Sequence, residues 1–390
     1  MKRLKYLLLP LILIGSLLGS YYITNNLDKI SYFTENDTLA KEFGVHKTSV
    51  IGFLPYWLIN DAQNNYSEYL TNLTYFGLAV DGNGSILKKS NSETEPGWAK
   101  FNNSDLKTKL TTAKKEGLET SLLLYASDTD AIDELIYNSE TAGKNLITEI
   151  IPIMKENGYT DLDIDLETLR VATKDEQKEF TKFLKIVSEE VKENNFTLTI
   201  CLPMGTFSYD TIISPVQIQP LVDRIVIMTY DYSYRGSAYA GPNAPLNEVE
   251  LAVKSSLTTF KSEQIVLGIP LYSYTWETLK NTPGSAIIPS SGETLTQKEL
   301  IDLLINCDNC ETTTNTETAE TTMVYTDKET GSYHMTYYPD ENNFKEKIAL
   351  VKNYNLGGVA FWALGYESEN YLSLFKSLKN YYWQDNSEIF

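Results

Sequence analysis

Tyr159-Thr160-Asp161-Leu162-Asp163-Ile164-Asp165-Leu166-Glu167 alternates strictly between acidic and apolar residues. In a strand, successive side chains point to opposite faces. Asp161, Asp163, Asp165 and Glu167 therefore share one face, and Leu162, Ile164 and Leu166 the other. One reading is a half-exposed strand at the edge of an antiparallel sheet, its acidic face solvated. Like charges about 6–7 Å apart along a strand repel, and no Lys or Arg is interleaved here. The other reading points this face into a partly dry cleft. There the carboxyls cannot all ionise, one pKa rises, and a general acid becomes available near neutral pH.

The surrounding chain favours the cleft. Short apolar runs recur at Ser49–Trp57, Leu73–Val80, Leu118–Tyr125, Phe196–Leu202, Asp223–Asp231, Gln264–Leu271 and Gly357–Ala363. With the acidic stretch they make eight. Helical patterns separate them, at Trp98–Glu116, Asp130–Asn157, Thr173–Asn195 and Pro245–Phe260, with a last one at Glu367–Asn380. Thr173-Lys-Asp-Glu176 is a capping box, and Phe180, Phe183, Leu184, Val187 and Val191 follow at helical spacing. Eight βα units predict an α/β fold, a closed (β/α)8 TIM barrel. An open doubly wound sheet is the alternative, but no glycine-rich phosphate loop follows the first strand. A barrel places function at the C-terminal strand ends, where Glu167, Tyr230, Asp231 and Trp362 all fall.

A small α+β insertion is expected at about 273–343, between the seventh strand and the final units. Its signals are a helix near Thr296–Ile305 and strand-like stretches at Thr322–Tyr325 and Tyr333–Tyr337. The Thr/Glu-rich run Glu311–Thr322 reads as an exposed, mobile loop. Cys307-Asp-Asn-Cys310 is either a small disulfide loop or two free thiols, and Cys201 lies in an apolar run that suggests simple packing.

Of 390 residues, 42% are hydrophobic, enough for a sizeable core, and the net charge is −19. That charge makes nucleic acid an unfavourable partner. Three cysteines and two histidines do not supply a zinc cluster, so no metal is expected. Lys2, Arg3 and Lys5 precede an uncharged apolar run from Tyr6 to Ile23, which reads as export. Residues 1–25 are a membrane anchor or a signal peptide, and 26–48 a tether to a barrel over 49–382. The folded part is then extracytoplasmic, membrane-anchored or secreted, and is expected to be a monomer.

Asp163-x-Asp165-x-Glu167 resembles the signature of glycoside hydrolase family 18, although Thr160 and Asp161 stand where that family has Asp and Gly. Met228-Thr-Tyr-Asp231 with Gly241-Pro242 and Ala244-Pro-Leu246, Gly268-Ile-Pro-Leu-Tyr272, and Gly357-Gly-Val-Ala-Phe-Trp362 match further segments in order. The third strand has Leu124-Tyr-Ala-Ser127 in place of the family's Ser-x-Gly-Gly, and Ser273-Tyr274 replaces a usual Arg. The resemblance spans roughly 49–380. It implies a glycosidase cleaving β-1,4 bonds next to N-acetylglucosamine in chitin or peptidoglycan, with retention and substrate assistance. Glu167 would be the acid and base, Asp165 the orienter of the acetamido group, Asp163 its proton-sharing partner, and Tyr230 a donor to the acetamido oxygen. Asp231, Trp362, Met228, Tyr56 and Tyr272 are the implied sugar contacts, with Trp57 beside Tyr56; core packing is the competing explanation for the aromatics and for Met228. No organic cofactor is implied. A non-catalytic chitin- or peptidoglycan-binding surface protein on the same barrel is the alternative function.

Overall fold

The computed structural model describes residues 48–383, apart from Asn91, Leu169 and Asp308. The expected anchor or signal segment, and all but the last residue of the expected tether, lie outside the described residues. Among those described, no helix is long and apolar enough to cross a membrane.

Eight parallel strands close into a barrel. They are Ser49–Pro55, Asn72–Ala79, Glu119–Ala126, Asp161–Leu166, Thr197–Pro203, Arg224–Met228, Ile265–Pro270 and Gly358–Trp362. The first pairs with both the second and the eighth, which completes the ring. Closure removes the sheet edge on which the solvated reading of the acidic strand depended. All six residues of the fourth strand are buried. Leu162, Ile164 and Leu166 join the apolar shell between strands and helices, with Phe180, Phe183, Leu184, Val187 and Val191 of helix Lys174–Glu193. The aspartates of opposite parity point into the barrel. A smaller interior cluster holds Ile51, Phe53, Phe76, Leu123, Cys201, Val226, Met228, Val266 and Ala360.

Two expected helices are broken. Trp98–Glu116 resolves into Pro96–Phe101 and Ser104–Lys115, because Asn103 adopts an extended backbone and caps the second helix, accepting from Asp105 N–H at 2.6 Å. Asp130–Asn157 resolves into Thr129–Tyr137 and Ser139–Asn157, with Asn138 leaving helical geometry between them.

The insertion after the seventh strand is a five-stranded antiparallel sheet, in the order Glu293–Thr296, Tyr272–Thr278, Tyr333–Tyr338, Glu320–Thr326, Glu311–Asn315. Helix Gln297–Asn306 accompanies it. The Thr/Glu-rich run is thus corrected from a loop to a hairpin: Glu311–Asn315 pairs antiparallel with Asn315↔Glu320 to Glu311↔Val324 in register. Alternating threonines suit an exposed edge strand, a β-branched preference that the polar composition concealed. Cys307 and Cys310 are disulfide-bonded. Glu320 ties the sheet down: its Oε1 accepts from buried Lys347 Nζ at 2.7 Å and from Ala244 N–H at 3.2 Å.

At the N-terminal end of the barrel, Arg224 Nη2 meets Asp161 Oδ1 at 3.1 Å, and Thr199 Oγ1 donates to the same carboxylate at 3.1 Å. Asp161 is almost fully buried, so removing the cation strands a desolvated charge. Arg224→Met should cost about 3–5 kcal/mol, read as a lower urea midpoint, and Asp161→Asn/Arg224→Met should recover much of it. A single-mutant loss below about 1 kcal/mol would show the pair to be effectively solvated.

Candidate active site

The fourth strand grades its carboxyls along the barrel axis. Asp161 is neutralised by Arg224 at the closed end. Two residues higher, Asp163 is buried and accepts a weak Cys201 Sγ–H contact at 3.5 Å and a backbone hydrogen bond from Ile164 N–H. Burial, reinforced by the Asp161 charge, pushes its carboxyl up to about 8, against the pull of Cys201 and Arg224. Asp165 stands opposite Tyr125 of the third strand. Burial, then the Glu167 and Asp163 charges, raise it well above the carboxylate range. Its Oδ1 is buried without a hydrogen-bond partner.

Glu167 follows the strand, held by its N–H donating to Ala126 O at 2.9 Å. Its side chain is reachable by solvent, yet protein surrounds it enough that burial raises its pKa, with the Asp231 charge adding and the contact with Asp165 opposing. The two facts are compatible at the mouth of a barrel. A substrate reaches the carboxyl, but bulk water hydrates it poorly, and accessibility makes this shift milder than those below it.

The sixth strand delivers Tyr230 and Asp231. Tyr230 packs in the barrel-interior cluster. Burial raises its hydroxyl well above the usual value, with Cys201, Asp165 and Glu167 contributing, so it remains a proton donor. Asp231 takes a positive φ of 62°. Its N–H donates to Asn243 Oδ1 at 2.8 Å, while Tyr272 and Tyr274 hydroxyls donate to its Oδ1 at 2.6 and 2.9 Å. Asn243 Nδ2 donates to Tyr272 O at 3.0 Å, which closes the cluster. Burial raises Asp231 and the two tyrosines hold it back.

The eighth strand ends at Trp362, half-buried over the interior. Its ring lies 4.9 Å from Phe76 and 6.0 Å from both Phe53 and Trp57. Phe76 stacks on Tyr125 at 4.7 Å. These rings make an aromatic floor beside the carboxyls.

The structure thus gathers Asp163, Asp165, Glu167, Tyr230, Asp231 and Trp362 at one end of the barrel. Three further expected contacts pack against these residues. Met228 is buried within the interior cluster. Tyr272 is buried and acts on Asp231. Tyr56 packs against the outer shell and bonds toward Tyr125, whereas its neighbour Trp57 is the exposed ring against Trp362. Sequence reasoning missed Asn243, although it sits between Gly241-Pro242 and Ala244-Pro245. It also missed Tyr125, Tyr274 and the Asp161–Arg224 plug. Register alone could have found Tyr125, opposite Asp165.

A graded carboxyl column, a solvent-reachable acid and an aromatic floor are the equipment of an enzyme that protonates a leaving oxygen on a sugar, a glycosidase. A sequence profile described as "Glycosyl hydrolases family 18" matches residues 30–367, and the chain belongs to that family. It is 25% identical over 323 residues to the cortical fragment-lytic enzyme of Bacillus subtilis (strain 168), covering 79% of this chain and 67% of the relative. Similar solved structures include the spore cortex-lytic enzyme SleL of Bacillus megaterium QM B1551, with a TM-score of 0.69, 19% identity and coverage of 84% and 73%. Another is the chitinase of Cycas revoluta in complex with (GlcNAc)3, with a TM-score of 0.69, 19% identity and coverage of 84% and 98%.

Asp163 makes stability depend on pH. A carboxyl raised in the folded state binds its proton more tightly there, so its stabilising contribution is complete below about pH 4. That contribution is lost as pH climbs toward about 8. Between those limits the urea midpoint of the wild type should fall relative to that of Asp163→Asn, which cannot titrate. A constant gap between the two proteins across the window would contradict a protonated Asp163.

Proposed function

We propose that this glycosidase hydrolyses β-1,4 linkages next to N-acetylglucosamine in chitin or peptidoglycan, with retention, using the substrate's own acetamido oxygen as nucleophile. One observation carries the mechanism: the buried, unpartnered Oδ1 of Asp165 beneath a solvent-reachable Glu167. A buried acceptor without a donor is costly. An acetamido N–H entering from the cleft satisfies it and turns the carbonyl oxygen of the same group toward the anomeric carbon.

Glu167 protonates the glycosidic oxygen as that bond breaks. Its raised pKa keeps the proton available. The acetamido oxygen closes on the anomeric carbon, giving an oxazolinium ion, and Tyr230 donates to that oxygen. Asp163 and Asp165 share one proton, which sits on Asp163 while Asp165 counters the positive charge, so the pair is never doubly ionised. Glu167, now ionised, draws a proton from water for the second step, so configuration is retained. Trp362 and Trp57 offer faces for the apolar side of the sugar. The name of the cortical fragment-lytic relative favours peptidoglycan, and the chitooligosaccharide complex of a fold neighbour favours chitin.

The decisive comparison is turnover of matched aryl glycosides of chitobiose and cellobiose. Loss of the acetamido group should cost far more than the roughly 1–3 kcal/mol of one missing contact. Glu167→Gln should abolish turnover and leave oligosaccharide affinity nearly intact. Comparable rates on both glycosides, or a trapped ester on Asp165, would rule out substrate assistance.

In this reading the basic-then-apolar segment from Lys2 to Ile23 carries the barrel outside the cytoplasm. Fractionation of cells expressing the full chain should then recover it in the membrane pellet or the medium, and recovery in the soluble cytoplasm would overturn this.

A further inference from the structure

Asn243 is the buried residue on which the loop after the sixth strand closes. That loop leaves the barrel at Asp231, whose φ of 62° puts it in the left-handed region. An Asp visits this region more readily than most residues, but partners are needed to keep it there. Asn243 supplies them. Its Oδ1 accepts from Asp231 N–H at 2.8 Å, and its own carbonyl accepts from Tyr232 N–H at 3.0 Å. Pro242 O accepts from Ser233 N–H at 3.2 Å. The N–H groups of Asp231, Tyr232 and Ser233 are thus all taken up by the dipeptide Pro242-Asn243.

The same amide reaches the insertion. Asn243 Nδ2 donates to Tyr272 O at 3.0 Å, and the Tyr272 and Tyr274 hydroxyls return to the Asp231 carboxylate at 2.6 and 2.9 Å. Backbone and side chain of Asp231 are therefore fixed around one buried side chain. Asn243 is itself held from behind. Ala244 N–H donates to Glu320 Oε1 at 3.2 Å, and that oxygen also accepts from Lys347 Nζ at 2.7 Å. Both members of this ion pair are buried, and Glu320 Oε2 has no hydrogen-bond partner. A buried pair with an unsatisfied oxygen is a poor source of stability. What it provides is a fixed place for the residue next to Asn243.

We propose that Asn243 is a positioning residue: it holds Asp231 in the left-handed conformation and so keeps that carboxylate at the barrel mouth, near Glu167. This role rests on the glycosidase reading above, in which Glu167 is the acid. The groups that act on Glu167 are Asp165 from its own strand and Asp231 from the sixth, with the Tyr230 hydroxyl and the Cys201 thiol close by. Asp231 in turn faces the Tyr272 and Tyr274 hydroxyls, and Arg235 acts on Tyr274. Asp231 is the one whose backbone Asn243 holds. Its negative charge disfavours ionisation of Glu167 and widens the range in which the acid keeps its proton. An Asp231 that swings away gives up that effect.

The test begins with crystals of the wild type and of Asn243→Ala, which read geometry without turnover. In the variant Asp231 should leave positive φ, and its carboxylate should part from Tyr272 and Tyr274. An Asp231 that stays in place overturns the proposal, whatever the activity. The second readout is the pH profile of kcat/KM on an aryl glycoside of chitobiose. Asn243→Ala should lose about 10- to 100-fold at neutral pH, and its alkaline limb should move to lower pH. In Asp231→Asn protein, which lacks the charge, the same substitution should leave that limb where it is. A loss equal at every pH would reduce Asn243 to a structural support and overturn the proposal, as would a limb that moves just as far without the Asp231 charge. Asn243→Ser, a milder removal of the same bonds, is read in the same way if the alanine variant does not fold. No turnover by the wild type would count against the glycosidase reading and leave the crystallographic outcome to decide the role of Asn243.

Discussion

Three aspartates on one strand face, all directed into a closed barrel, are the constraint around which the rest of this structure is arranged. A parallel barrel buries both faces of its strands, and ionised carboxyls in such an interior are costly. The chain meets that cost differently at each level. Asp161 is paired with Arg224 and hydrogen-bonded by two threonine hydroxyls. Asp163 has a thiol and one backbone N–H but no ion pair, and holds a proton instead. Asp165 is left with an acceptor that nothing in the protein satisfies. Glu167 escapes to the mouth. A gradient from paired ion to protonated acid to reachable acid follows from position alone, although the side chains differ by a single methylene.

The insertion sheet belongs to the same problem. Tyr272 and Tyr274 are strand residues of that sheet, and their hydroxyls fix the Asp231 carboxylate. Trp362 and Tyr366 pack on the cluster formed by Trp276, Met335 and Tyr337. Glu320 and Lys347, both buried, lock the sheet to helix Glu341–Asn353 and to the loop that carries Asn243. An Asp231 left loose would vary the field at Glu167, since its charge is among the causes that raise the acid. The sheet is thus a means of keeping the Asp231 carboxylate in place.

Most of the barrel was legible because its strands are apolar runs separated by helices with strong periodicity, and the alternation at Asp161–Leu166 read correctly as one strand, with Glu167 just past its end. What escaped depends on contacts between distant segments. Asn138 and Asn103 break helices through backbone geometry that a periodic pattern does not register. The Glu311–Asn315 strand is polar on both faces, so period-2 burial leaves no trace in it. Tyr56 and Trp57 are adjacent, and which of them faces the cleft depends on where the first strand ends, here at Pro55. Arg224 is one sequence position into an apolar run, and its partner lies two strands away in the ring.

The proton inventory of the column also bears on chemistry. A carboxyl that attacks carbon must be ionised and free to approach. Asp165 is the residue most strongly discouraged from ionising, because burial, Glu167 and Asp163 all act in the same direction. It carries the charge of the pair only while the shared proton sits on Asp163, a state that a positive species nearby favours. The positive species available in the proposed reaction is the intermediate itself. The interior therefore penalises a resting nucleophile on Asp165 and rewards a transient anion there, formed as positive charge develops on the substrate. A barrel that buries its acids in a column selects for stabilisation in the transition state over attack from the ground state.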